Sequence, residues 1–396
     1  MQSIENRPLR NEYDIVVIGA GLAGLECARL LGLYGLHVLL ADCKSDLSES
    51  VHTTGIFVRR TLEDFDLPQD CLGPAVHHVT LYSPKRRTLQ LESPHAEFRV
   101  GKMGQIYKRY LQHCQETRVD WMPCTRYSGL NPVNGHLVVH LVTKGVARSV
   151  KTRFIVGADG ANSRVARDLN LDVNRDWIVG VECVFTNVPL DGPPRLHCFL
   201  DPHLSPGYLA WIANDGDETH IGVGGYPLKF DAAEALESFL LSIGGIIDLS
   251  RARLVERRGG RIPIGGVLPR IANEYGLLVG DAAGAVSPFT AGGLDPCLRL
   301  SNHAAKIIAV YLQSGDKRVL ESYSGELFRT HFSSRLWMRR LVSILDQRFL
   351  IEFCCAALRL TPLKWFARHV FFGRGSFPDT HGLTTEELPL KVREAL

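Results

Sequence analysis

Residues 13–42 read YDIVVIGAGLAGLECARLLGLYGLHVLLAD, and the spacing within this stretch decides the fold class. Ile15 to Ile18 is an apolar, β-branched run of the kind that forms a buried strand. It enters Gly19-Ala20-Gly21-Leu22-Ala23-Gly24 and then a segment of helical period. A second apolar run, His37 to Ala41, closes on Asp42. A dinucleotide site needs these residue types at these intervals. Gly19 permits the tight turn, Gly21 lets a pyrophosphate approach the backbone, and Gly24 lets helix pack on strand. Leu22 and Ala23 open the helix, whose free N–H groups and positive dipole end favour phosphate. Asp42 can accept hydrogen bonds from a ribose. Strand, glycine turn, helix and acid in this order predict an α/β, Rossmann-type domain.

Two later stretches choose between nicotinamide and flavin. Residues 154–163, FIVGADGANS, form a strand ending in Gly157-Ala158-Asp159-Gly160. Residues 276–296, GLLVGDAAGAVSPFTAGGLDP, form another, ending in Gly280-Asp281. The trio in this order resembles the flavoprotein superfamily typified by p-hydroxybenzoate hydroxylase, and an NAD-only dehydrogenase would not need the second and third motifs. The resemblance implies FAD. It implies that Asp281, beside Gly280, bonds the ribityl chain or nearby pyrophosphate, and that Asp159-Gly160 shapes the pocket. Gly104-Gln105 resembles another FAD-contacting segment. Residues 288–295, PFTAGGLD, resemble the segment along the pyrimidine edge of the isoalloxazine, which makes Pro288, Ala291, Gly292, Gly293 and Leu294 candidate contacts. A helix starting near Gly292-Gly293 would aim free N–H groups at the negative charge of reduced flavin. Pro288 would set the entry angle and pack on the ring.

With 396 residues, 45% of them hydrophobic, the chain can bury a large core in two lobes or more. A net charge of +3 is too balanced for a nucleic-acid partner. The polar N-terminus does not resemble a signal peptide, and no run of about 18 uncharged apolar residues predicts a spanning helix. The ten cysteines show no CxxC pair, which points to thiols in a reducing cytosol. The 15 histidines show neither HExxH nor knuckle spacing, so no metal site is expected. His77-His78 and His220 sit in strand-like runs and read as structural or exposed. No GxSxG elbow supports serine hydrolase chemistry.

Changes of pattern divide the chain. The FAD-binding domain is expected from 1–76, 93–176 and 265–315. A β-sheet substrate lobe is expected from 77–92, a hairpin around Pro84-Lys85, and 177–264, with a helix at 231–243. Residues 316–396 are expected to be helical.

Residues 206–213, PGYLAWIA, place Pro206, Gly207, Tyr208 and Trp211 as in the PGYxWxFP signature of the geranylgeranyl reductase family. Residues 258–266, RGGRIPIGG, and the run that follows resemble that family too. The resemblance implies an FAD-dependent oxidoreductase that reduces carbon–carbon double bonds of a hydrophobic, isoprenoid substrate by hydride transfer. The reductant is NADPH, NADH or an external electron-donor protein. The alternative is an FAD-dependent monooxygenase of an aromatic or polycyclic metabolite. Two departures bear on the chemistry. Ala213-Asn214 replaces the Phe-Pro of the signature, and VHTTGI at 51–56 stands where the family places a Cys-Gly-Gly-Gly loop. His52, in the approximate place of that cysteine, is a candidate proton donor. Thr53 and Thr54 would hold it or donate to the flavin. Tyr208 and Trp211 are candidate substrate walls, although residues three apart face opposite sides of a regular strand.

Residues 329–376 carry nine basic residues (Arg329, Arg335, Arg339, Arg340, Arg348, Arg359, Lys364, Arg368, Arg374) against Asp346 and Glu352. Trp337, Leu341, Leu345, Phe349 and Phe353 recur at helical spacing, with Trp365, Phe366, Phe371 and Phe372 beyond Pro362. Such a segment either touches a membrane surface or shapes the route of a greasy substrate, the alternative being a cap on the lobe with solvated charges.

Overall fold

The structure is a computed structural model that describes residues 9–133, 135–344 and 347–373. Residues 1–8, Leu345, Asp346 and 374–396, including Arg374, lie outside the described residues, as do the side chains of Pro362 and Phe366.

The first sheet runs in the order Val119–Met122, Val38–Ala41, Glu12–Ile18, Val146–Gly157, His136–Thr143, Thr125–Val133. Its first four strands are parallel, and Gly276–Leu278 adds a fifth parallel strand against the end of Val146–Gly157. Ile15, Val16, Val17 and Leu40 are fully buried in it, as expected of strands covered on both faces. The antiparallel hairpin at 125–143 extends this sheet and was not singled out from sequence. Leu137, Val139 and Leu141 nevertheless alternate with more exposed neighbours, the period of a sheet. Helices Leu22–Leu33 and Leu294–Ser314 pack together over one face, where Ser301 donates to the Ala23 carbonyl.

The second sheet runs Arg253–Pro263, Trp177–Thr186, Glu218–Gly225, Ala210–Asn214, Arg195–Phe199, His78–Tyr82, Thr88–Glu92. The 78–92 hairpin joins it through a parallel pairing with Arg195–Phe199. Helix Ala232–Ser242, capped by Asp231, covers one face and buries Phe239 and Leu236 against Cys183, Ile221 and Val223. The alternate residues, among them Gly180, Glu182, Trp211, His220, Gly222, Gly224 and Arg258, point to the opposite face.

Helices Ser333–Ile344, Arg348–Ala357 and Thr361–Phe372 lie against this lobe. Ala367, Leu358, Phe371 and Phe372 pack on Val79, Leu81, Phe98 and Cys198. Glu352 accepts from the backbone of Lys85, and Arg348 donates to Asp201 and to the Pro84 carbonyl. Among the described residues no helix is long and apolar enough to cross a membrane.

Candidate active site

The glycine turn is built as its spacing predicts. Gly19 has φ +103°, and a Cβ there would lie 2.2 Å from the Ala158 carbonyl oxygen. A Cβ on Gly24 would lie 1.9 Å from the Gly19 oxygen, so the helix can approach only if this position has no side chain. Gly21 differs: nothing stands within 4 Å of its absent Cβ. It caps helix Leu22–Leu33 with no side-chain partner, which leaves first-turn N–H groups for a ligand. Leu22 and Ala23 are buried, and Gly280, at φ +57°, packs on the Ala23 methyl. The first and third motifs therefore touch. Asp42 accepts from Ala20 N–H at 2.7 Å and Lys44 N–H at 2.8 Å, and each oxygen keeps a lone pair for a ribose hydroxyl.

Asp281 is half-buried, and although its backbone carbonyl accepts from Asn174 Nδ2, its carboxylate accepts no hydrogen bond from any described residue. Burial pushes its carboxyl up to about 6. Helix Leu294–Ser314 is capped by Gly293, and a Cβ there would stand 3.7 Å from an Asp281 oxygen. The expected helix start beside the third motif is thus present, with Leu294 as its first residue. The loop before it is held by Ser287 N–H to the Gly292 oxygen and Ala291 N–H to the Ser287 oxygen. Ala291 adopts φ +52°, a left-handed conformation that costs a non-glycine residue energy and often marks a functional loop. Pro288 is buried toward Gly266. Gln105 is exposed in the first turn of helix Met103–Gln115. Asp159 accepts from Ser163 Oγ at 2.5 Å and from the N–H groups of Arg164 and Val165, so its carboxylate is committed to its own loop.

Open space over Gly21, a carboxylate without a partner and two helix N-termini that no side chain caps fit FAD. Residues 12–208 match the FAD binding domain family. The chain is 25% identical over 329 residues to digeranylgeranylglycerophospholipid reductase 1 of Methanococcoides burtonii, covering 80% of this chain and 79% of that one. It is an FAD-dependent oxidoreductase of geranylgeranyl reductase-like type. Its fold superposes on a geranylgeranyl bacteriochlorophyll reductase-like protein of Thermoplasma acidophilum with a TM-score of 0.81 and 19% identity, over 92% of this chain and 97% of the other. A p-nitrophenol 4-monooxygenase of Pseudomonas putida follows at a TM-score of 0.70 and 16% identity, over 92% and 99%.

In this reductase-like flavoprotein two of the candidate catalytic residues, Thr54 and Trp211, meet at a buried polar cluster that no sequence motif announces. Thr54 Oγ1 and Trp211 Nε1 donate to one oxygen of Glu182, at 2.7 and 3.2 Å. Arg258 Nε donates to the other at 2.5 Å. Burial opposes the Glu182 charge, but His220, Arg258 and Thr54 outweigh it and hold the carboxyl at about 2. His220, read from sequence as structural or exposed, is buried, with Arg258 3.0 Å from Nδ1 and Asp215 3.6 Å from Nε2. Burial disfavours its charged form, and Asp215 and Glu182 override that, raising its pKa to about 9. Asp215, Glu218 and His220 bring ligand-type atoms within 4.8 Å of one another. The Arg258 guanidinium beside His220 disfavours a metal cation there.

Tyr208 and Trp211 do not part to opposite faces. Gly207, at φ +73°, turns the chain before the strand begins at Ala210, so strand parity does not govern Tyr208. The two rings meet edge to face at 6.4 Å. Gly222 and Gly224 form their floor: a Cβ there would lie 2.3 Å from the Trp211 ring and 2.8 Å from the Tyr208 ring. Tyr208 also donates to the Thr290 carbonyl at 2.8 Å, which ties this turn to the third motif's loop. His52 is exposed beside Gly259 and Gly260. Partial burial of its ring, then the Lys44 charge, lowers its pKa below the ordinary imidazole value. Thr53 Oγ1 accepts from Gly55 N–H, so it fixes the loop rather than His52.

Proposed function

We propose that the protein reduces carbon–carbon double bonds of a polyprenyl chain. The observation that carries this reading is the convergence of three segments distant in sequence: 52–55, 208–211 and 288–293. They are joined by Thr54–Glu182–Trp211 and Tyr208–Thr290. The similarity to a digeranylgeranylglycerophospholipid reductase supports the substrate class.

Gly19, Gly21, Gly24, Asp42, Asp281 and Gly293 would hold FAD, which when bound supplies a hydride carrier. The chain's own residues do the rest. Tyr208 and Trp211 offer an apolar aromatic wall on a glycine floor, suited to a prenyl chain and repellent to water. Glu182 and Arg258 fix the indole edge. His52 stands at the open edge as the proton donor, and partial burial with the Lys44 charge shifts its charged form toward acid pH. The electron donor is NADPH, NADH or a small electron-carrier protein.

Anaerobic incubation of the reduced holoprotein with a geranylgeranyl lipid tests the reading. The expected product gains two hydrogens for each bond reduced. A second reading, hydroxylation of an aromatic metabolite, is favoured by the shared fold of the p-nitrophenol 4-monooxygenase. Oxygen-dependent incorporation of an oxygen atom, with no reduction of the lipid, would replace the first reading by the second. Parallel anaerobic reductions with NADPH, NADH and ferredoxin identify the donor.

A further inference from the structure

Every exposed Trp and Phe among the described residues lies in one short stretch: Trp337, Phe349, Phe353 and Trp365, at 65%, 66%, 72% and 68% exposure. They come from three consecutive helices. Trp337 pairs with exposed Leu341 and Phe349 with Phe353, each four residues apart and so on one side of its helix. Leaving four large aromatic side chains in water is unfavourable, and a soluble enzyme rarely concentrates them without a partner.

The charges on these helices sort into two groups. Arg335 donates to Ser287, Arg339 stacks on Tyr226, and Arg348 bonds Asp201. These brace the helices on the lobe. Arg329, just before them, donates to the Gly265 and Val267 carbonyls. Arg340, Arg359 and Arg368 are exposed. Glu352, the one acid among the described residues of this stretch, is turned to Lys85 and Arg87 of the 78–92 hairpin. The outward charge is therefore basic and interleaved with aromatic side chains.

We infer that helices Ser333–Ile344, Arg348–Ala357 and Thr361–Phe372 form a docking face for an anionic lipid bilayer. Aromatic and leucine side chains enter the headgroup region while the arginines meet lipid phosphates. The inner side of the same helices covers the apolar strands of the substrate lobe through Ala367, Phe371 and Phe372. Docking would bring that lobe to the lipid. The purpose assigned to docking rests on the proposed function, but the binding itself does not.

The test is co-sedimentation of the FAD-loaded full-length protein with vesicles of phosphatidylglycerol and phosphatidylcholine, and of phosphatidylcholine alone. Binding to the anionic vesicles is expected, falling at least tenfold at high salt or in the triple variant Trp337→Ser, Phe353→Ser, Trp365→Ser. Wild-type protein that stays in the supernatant with anionic vesicles at low salt overturns the inference, whatever the variant does. So does light scattering that shows a wild-type dimer and a monomeric triple variant, which would make a second copy of this chain the occupant. Turnover of a detergent-dispersed geranylgeranyl lipid separates the two readings. The triple variant should keep it, and its absence from the wild type would fault the proposed function while leaving docking intact.

Discussion

Thr54 and Trp211 donate to the same oxygen of Glu182, so the loop in the place of the family's cysteine motif and the aromatic wall share one acceptor. Arg258, with 9% of its side chain exposed, balances that carboxylate. Glu182→Ala would leave the buried Arg258 guanidinium without the carboxylate that faces it. The expected loss is about 3–5 kcal/mol of stability, read from urea unfolding. Adding Arg258→Met should recover part of it. A single variant as stable as the wild type would show that the charge of Arg258 is satisfied elsewhere.

Gly21 and Gly24 should separate ligand space from packing space. Gly24→Ala drives a methyl onto the Gly19 carbonyl and should lower both flavin content and apoprotein melting temperature. In Gly21→Val the new Cβ meets no atom of another segment within 4 Å, so the apoprotein should melt within a few degrees of wild type while FAD affinity collapses. Equal flavin affinity in Gly21→Val, measured by fluorescence titration, would move the pyrophosphate away from this turn.

Asp281 carries a cost in the absence of ligand. Its pKa of about 6 lies above the usual carboxylate value of about 3.9, so the folded state binds the proton more tightly than the unfolded state does. Apoprotein stability should fall as pH rises from about 4 to 6, and above that the charged group should cost on the order of 1–2 kcal/mol, discounted for its partial exposure. Asp281→Asn should therefore raise the melting temperature of the apoprotein at pH 7 and remove that pH dependence. The same change should weaken FAD binding. Lower apoprotein stability together with unchanged FAD affinity would show that the carboxylate is structural.

His52→Ala should retain flavin and lose roughly 10²-fold in turnover of a double-bond substrate. Because the ring's pKa is lowered, the protonated form grows scarcer toward neutral pH, so the loss should be largest on the acid side and shrink as pH rises. Unchanged turnover between about pH 5.5 and 8.5 would reduce His52 to a loop residue.

The dinucleotide turn was legible because each glycine answers a local constraint within about ten residues. The third motif was equally plain, down to the helix that begins after Gly293. The Glu182 cluster was not. Glu182 stands in an apolar strand and Arg258 in a polar one, and only the register of Trp177–Thr186 against Arg253–Pro263 sets them face to face. Tyr208 was misjudged because the left-handed Gly207 removes it from the strand whose parity it was assigned. The C-terminal arginines formed one basic group on paper. Packing against Tyr226, Ser287 and Asp201 divides them, which no spacing rule could reveal.

The parallel sheet closes late. Glu12–Ile18 pairs with Val146–Gly157, whose far edge waits for Gly276–Leu278, and helix Leu22–Leu33 waits for Leu294–Ser314 to cover it. About 250 residues separate Gly24 from Asp281, so at ordinary ribosomal speed the two halves of the flavin cradle emerge on the order of 10–50 s apart. Through that interval the nascent glycine turn has no opposing wall, and the apolar side of its helix is open to other chains. A chain stalled before residue 276 should be held by chaperones or aggregate, and flavin capture waits until the third motif has emerged.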